Sequence, residues 1–140
     1  MIRERHVIRM KIPFPSINSK LAYSAHMYIC MESEALQYVF AKCQTLKPYM
    51  LFQKTMKNYC DEAPDIARNP FVQMTRIDCD KRFSTSGVQY DARLLTTNRP
   101  DICEELFEKI AEKLSEAGED ICLDEKALIS LNPLVSRIFV

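Results

Sequence analysis

The 140-residue sequence predicts a mainly β chain with helical decoration, a small, mostly antiparallel β-barrel or curled sheet. Three observations predict it. Runs of β-forming residues cluster early and again past the middle, each bounded by proline, glycine or polar turn residues. Strands and helices do not alternate regularly, which disfavours a doubly wound parallel sheet. One segment, near 98–117, carries an apolar stripe at helical spacing. The length fits one domain spanning residues 1–140, and 47% apolar with 27% charged residues is ordinary globular composition.

The elements follow in order. Val7 to Phe14 reads as a strand ending at Pro13, because proline donates no ladder hydrogen bond. Ser16 to Ser24 is a polar loop. Met27–Met31 and Leu36–Cys43 form a β-hairpin around a polar turn at Glu32-Ser33-Glu34. Residues 46–69 are irregular and read as an inserted segment. It is either a lid or partner-binding loop, or a short helix from Met50 to Tyr59 with plain connections. Phe71 to Asp78 resumes strand alternation, with Phe71, Gln73, Thr75 and Ile77 on one face. Ser84 to Gly87 signals a turn, and Gln89 to Leu95 a further short strand. Asn98 to Ala117 is the helix: Asn98 as N-cap, Pro100 in the first turn, and Gly118 as the stop. Its stripe of Ile102, Leu106, Phe107, Ile110, Ala111 and Leu114 belongs to the core. The apolar tail, Leu128 to Val140, adds a last strand or packs over the sheet.

Several function classes fall away. The formal net charge is zero, so a strongly basic nucleic-acid binder is not indicated. No apolar run reaches membrane-span length and none has signal-peptide form, which predicts a cytoplasmic chain without membrane contact. Two glycines, Gly87 and Gly118, cannot build a phosphate-cradling loop. The six cysteines show no CxxC or CxxxC spacing, so no metal and no cofactor is expected, and reduced, buried thiols are the simplest reading.

Ile12-Pro13-Phe14-Pro15, the run Met27-Tyr28-Ile29, and Lys42-Cys43-Gln44-Thr45 occur in an order that resembles the PemK/MazF-like toxins of toxin–antitoxin systems. Gln73 to Asp78 and Asp80-Lys81-Arg82-Phe83 are similar to that family's region before its closing helix. The likeness runs over about residues 7–115 with an enlarged middle. It implies an SH3-like barrel with a C-terminal helix, a homodimer, and a cognate antitoxin protein as partner. The implied activity is metal-independent cleavage of single-stranded RNA, with the 2′-OH as nucleophile.

Carried over by residue, Thr45 matches the family's catalytic hydroxyl. The family's arginine–proline position falls at Ser24-Ala25, where no arginine stands; Ser24 and the neighbouring His26 are the catalytic candidates there. Lys20, Lys47 and Arg68 are cations that could stand in for the missing arginine, Arg76 is a further substrate-binding candidate, Tyr23 a candidate base-stacking residue, and Pro15 shapes the loop over the RNA. The bland readings are a strand histidine, a strand-end threonine, and a salt-bridged turn at Arg76 to Arg82. The alternative function is a noncatalytic SH3-like barrel that binds RNA or a protein.

Overall fold

The computed structural model describes residues 2–13, 25–52 and 56–138. Nine strands among these residues form one large sheet and one two-stranded ribbon, joined by two helices. The strands are mostly antiparallel, as expected.

The hub of the large sheet is a hairpin. Strand β2 (His26–Glu34) pairs along its length with β3 (Gln37–Thr45), and β1 (Val7–Met10) pairs the outer edge of β2. The turn lies at Ala35-Leu36, not at 32–34. A register shift between Cys30 and Glu32 carries the polar residues of β2 onward as strand. Ala35 and Leu36 both have positive φ, 48° and 68°. Turns of that form usually announce themselves with Asn or Gly, so Ala-Leu left no trace in the sequence.

The far edge of β3 is shared by two strands. Its C-terminal half pairs β5 (Thr75–Asp78), and its N-terminal half pairs β6 (Lys81–Ser86). The register runs from Cys43↔Ile77 to Phe40↔Phe83. Residues around Cys79 and Asp80 therefore bulge out of the ladder, and the sheet forks. Beyond β5 lies β4 (Tyr59–Glu62), and beyond β6 lies β8 (Glu119–Cys122), which runs parallel to it. The predicted Phe71–Asp78 strand is shortened to β5, whose four residues are all buried as expected of a strand paired on both edges. The predicted turn at Ser84 shrinks to Gly87 with φ 72°. The ribbon pairs β7 (Val88–Tyr90) with β9 (Val135–Arg137), and a 3-10 turn at Ala92–Leu94 replaces the rest of the strand expected to reach Leu95.

Among the described residues the sheet does not close into a barrel. Each of its faces carries a covered apolar cluster, so the chain gains more by layering than by curling. On one face Val7, Ile29, Ala41, Cys43 and Ile77 pack beneath helix α1 (Glu104–Ala117) through Leu106, Ile110 and Leu114, with Ile102 just ahead of the helix. On the other, Ile8, Tyr28, Cys30, Phe40 and Phe83 meet the ribbon and helix α2 (Glu125–Leu131) through Tyr90, Val135 and Leu128.

Helix α1 carries the predicted stripe but starts six residues later than Asn98. The Ile102 N–H is taken by the Arg5 carbonyl at 2.9 Å, and the Pro100 carbonyl accepts from the Val7 N–H at 2.8 Å. Residues 100–102 thus extend the sheet edge. Cys103 is the N-cap, without a side-chain cap bond, and Glu104 and Glu105 face the positive end of the helix dipole. The tail is not one strand either. Asp124 caps α2 by accepting from the Ala127 N–H at 3.1 Å, and β9 follows after Asn132-Pro133. Buried Asn132 clamps the tail to the β1 exit, accepting from the Lys11 N–H at 2.8 Å and donating to its carbonyl at 2.7 Å.

Helix α1 passes into β8 with one residue between them. A Cβ on Gly118 would stand 2.6 Å from the Leu114 carbonyl and 3.2 Å from the Arg82 side chain. Gly118→Ala is therefore expected to cost roughly 1–3 kcal/mol of stability. A urea titration checks this, and an unchanged midpoint would contradict the close approach.

Candidate functional site

The α2-side face of the sheet turns polar toward β4, and chemistry-bearing side chains collect there. Strand alternation and register decide which ones. Tyr28 faces that side, and so, two residues earlier, does His26. The ladders pair Tyr28 with Lys42, Gln44 with Arg76, Arg76 with Asp61, and Asp78 with Tyr59. Continuing each register by one residue gives two adjacent rows across the sheet. One holds Tyr28, Lys42, Asp78 and Tyr59; the next holds His26, Gln44, Arg76 and Asp61.

Arg76 is the best-defined group in these rows. Its side chain is 6% exposed. Nε and one Nη donate to the two oxygens of Asp61 at 2.8 and 2.9 Å, and the other Nη donates to the Met50 carbonyl at 3.3 Å. The Tyr59 ring lies against the guanidinium, 3.8 Å from its carbon to the centroid. The fork is planar, oriented and charged, the form that suits a carboxylate or phosphate.

Asp78 and Lys42 are both buried. Burial raises the Asp78 carboxyl above the usual range, opposed by the hydrogen bond it accepts from the Asp80 N–H at 2.8 Å. Burial also lowers the Lys42 ammonium, opposed by the nearby Asp78 charge. The Tyr28 hydroxyl is buried and makes no hydrogen bond among the described residues, and burial raises its pKa. Such a set holds a proton acceptor and cations in a place of reduced solvation. Lys81, a charge neighbour of both Lys42 and Asp78, also lines an apolar cavity of about 490 Å³ with Pro13, Phe83, Ile121 and Leu123.

The Asp78 shift has a stability consequence. Between its ordinary value of 3.8 and its higher folded value, the folded chain keeps a proton that the unfolded chain has released. The contribution is complete below the ordinary value and is lost as pH rises through the folded one. Asp78→Asn should reduce the fall in urea midpoint between about pH 4 and about pH 7. An equal fall in the variant would contradict the raised carboxyl.

The residues singled out from the sequence distribute unevenly. His26 and Arg76 share the polar face. Thr45 alternates onto the α1 side, where it pairs with buried Thr75 in register. Exposed Lys47 follows β3 at the 3-10 turn Pro48–Leu51; the helix considered from Met50 to Tyr59 does not form, since residues 56–58 are not helical and Tyr59 opens β4, whose pairing to β5 decides the local structure. Pro15, Lys20, Tyr23 and Ser24 lie outside the described residues. Lys42, Asp61 and Asp78 were not singled out as site residues; the available signal was charge inside apolar runs, as in Ala41-Lys42-Cys43 and Arg76-Ile77-Asp78.

A second cluster lies on the α1 side. The six cysteines are free thiols, four of them buried. Cys79, with Lys109 and Lys113 of α1, holds the Cys60 thiol below its ordinary value against the effect of burial. Cys60 is only 2% exposed, which keeps it from bulk reagents. No group of His, Cys, Asp and Glu among the described residues is arranged to hold a metal ion. No described helix is long and apolar enough to cross a membrane.

No protein-family model and no curated protein sequence matches the chain.

Proposed function

We propose that the chain is a PemK/MazF-like toxin that cleaves single-stranded RNA without a metal, at the polar face of its sheet. In this reading the open sheet is a variant of the SH3-like barrel, a homodimer forms, and an antitoxin protein covers the face. The observation that carries the reading is the convergence of His26, Lys42, Arg76 and Asp78 in two neighbouring rows. Cleavage through the 2′-OH needs a group to take that proton, one to protonate the leaving 5′-oxygen, and positive charge on the phosphate. Asp78, with its raised carboxyl, and His26 serve the proton transfers. Arg76 and Lys42 hold the phosphate and its developing charge. Arg76 then supplies the fork that the Ser24-Ala25 position lacks, and Thr45, on the other side of the sheet, takes no part.

The test is expression of wild type beside His26→Ala and Asp78→Asn. Wild type should arrest growth with fragmented RNA, and both variants should relieve it. Equal, healthy growth of all three with intact RNA would sink the nuclease reading. The noncatalytic reading is favoured by one observation, the commitment of the Arg76 fork to Asp61. It predicts RNA binding with no cleavage.

A further inference from the structure

We propose that Asp61 is a built-in stand-in for the RNA phosphate, an autoinhibitory carboxylate that occupies Arg76 until a phosphodiester displaces it. This inference rests on the RNA-site reading above. Among the described residues, the hydrogen bonds and ring contact that hold the Arg76 guanidinium come from the inserted middle segment: the Met50 carbonyl, the Tyr59 ring and the Asp61 carboxylate. The carboxylate binds the fork through two parallel hydrogen bonds, the geometry a phosphate would adopt.

The contact is also built to be exchangeable. Arg76 is fixed in a buried position, but the Asp61 side chain is 32% exposed, so a rotation into water releases the fork without moving the backbone. The strand under it stays anchored meanwhile. Asp80 accepts from the Lys57 and Asn58 N–H groups at 2.7 and 3.0 Å at one end. At the other, Glu62 accepts from Arg68 at 3.0 Å and from Asn69 at 2.7 Å. Tyr59 therefore keeps the guanidinium plane in place while the anion on its edge is replaced. Asp61 thus holds the fork ready and competes for it.

The experiment measures binding of a fluorescently labelled, non-cleavable 2′-O-methyl uridine 12-mer by anisotropy. The proteins are wild type, Asp61→Ala, Arg76→Ala and the double variant, with urea midpoints to establish that each is folded. Asp61→Ala should bind about five- to tenfold more tightly than wild type. The double variant should bind no better than Arg76→Ala, because the gain acts through the freed fork. Binding by wild type with equal or weaker binding by Asp61→Ala overturns the inference and leaves the RNA site standing. A gain that persists in the double variant also overturns it, since the effect is then only loss of a negative charge. Absence of binding by every protein removes the RNA reading itself, and the inference with it.

Discussion

Arg76→Ala is expected to lower RNA cleavage by about 100- to 1,000-fold, the loss seen when a preorganised charge-stabilising group is removed. The reason is positional as well as electrostatic. The fork is held on β5, a strand paired on both edges, buried, with an aromatic ring against it. Arg76→Lys keeps the charge and loses the fork, so it should fall between wild type and Arg76→Ala. The variant should stay folded, because the partner it abandons, Asp61, is partly exposed and regains water. Single-turnover rates on a short RNA, with a urea midpoint for each protein, check both halves. A rate within threefold of wild type for folded Arg76→Ala would remove Arg76 from the reaction.

The second large effect is on stability. Phe40 is fully buried on β3, the strand that pairs β2, β5 and β6. Its ring lies 6.1 Å from Tyr38 and 5.3 Å from Tyr90, centroid to centroid. Phe40→Ala removes the ring at the contact between sheet and ribbon. The expected loss is about 3–5 kcal/mol, which is on the order of 10 °C in Tm for a chain this size. Phe40→Leu should lose less, since it refills part of the space. Thermal unfolding followed by circular dichroism measures this. A Tm within about two degrees of wild type for Phe40→Ala would contradict the placement of that core.

Particular elements explain what could be read from the sequence. The stripe from Ile102 to Leu114 declared α1 because one face of a helix is a local, periodic property. The β2–β3 hairpin was legible from its β-forming runs, although its turn was not, since nothing marks Ala35-Leu36 for positive φ. Strand β8 and helix α2 went unread for a different reason. Glu119 to Cys122 is a strand because it finds β6 across the sheet, a tertiary choice that overrides local character. The mainly β class was legible, but no closed barrel forms among the described residues: closure depends on what covers the faces, and α1, α2 and the ribbon pack against both. At the site, the charge of Arg76 was visible, but its grouping with His26 and separation from Thr45 are matters of register. One residue of slip would have exchanged those faces.

The proposed reaction is attack of the 2′-OH on the adjacent phosphodiester at the polar face, with no metal ion. Purified protein incubated with single-stranded RNA in EDTA tests it most directly, read by the chemistry of the new ends. Cleavage in EDTA at an undiminished rate is expected, leaving a 2′,3′-cyclic phosphate on one fragment and a 5′-hydroxyl on the other. Intact RNA, or cleavage that stops on chelation, would contradict it.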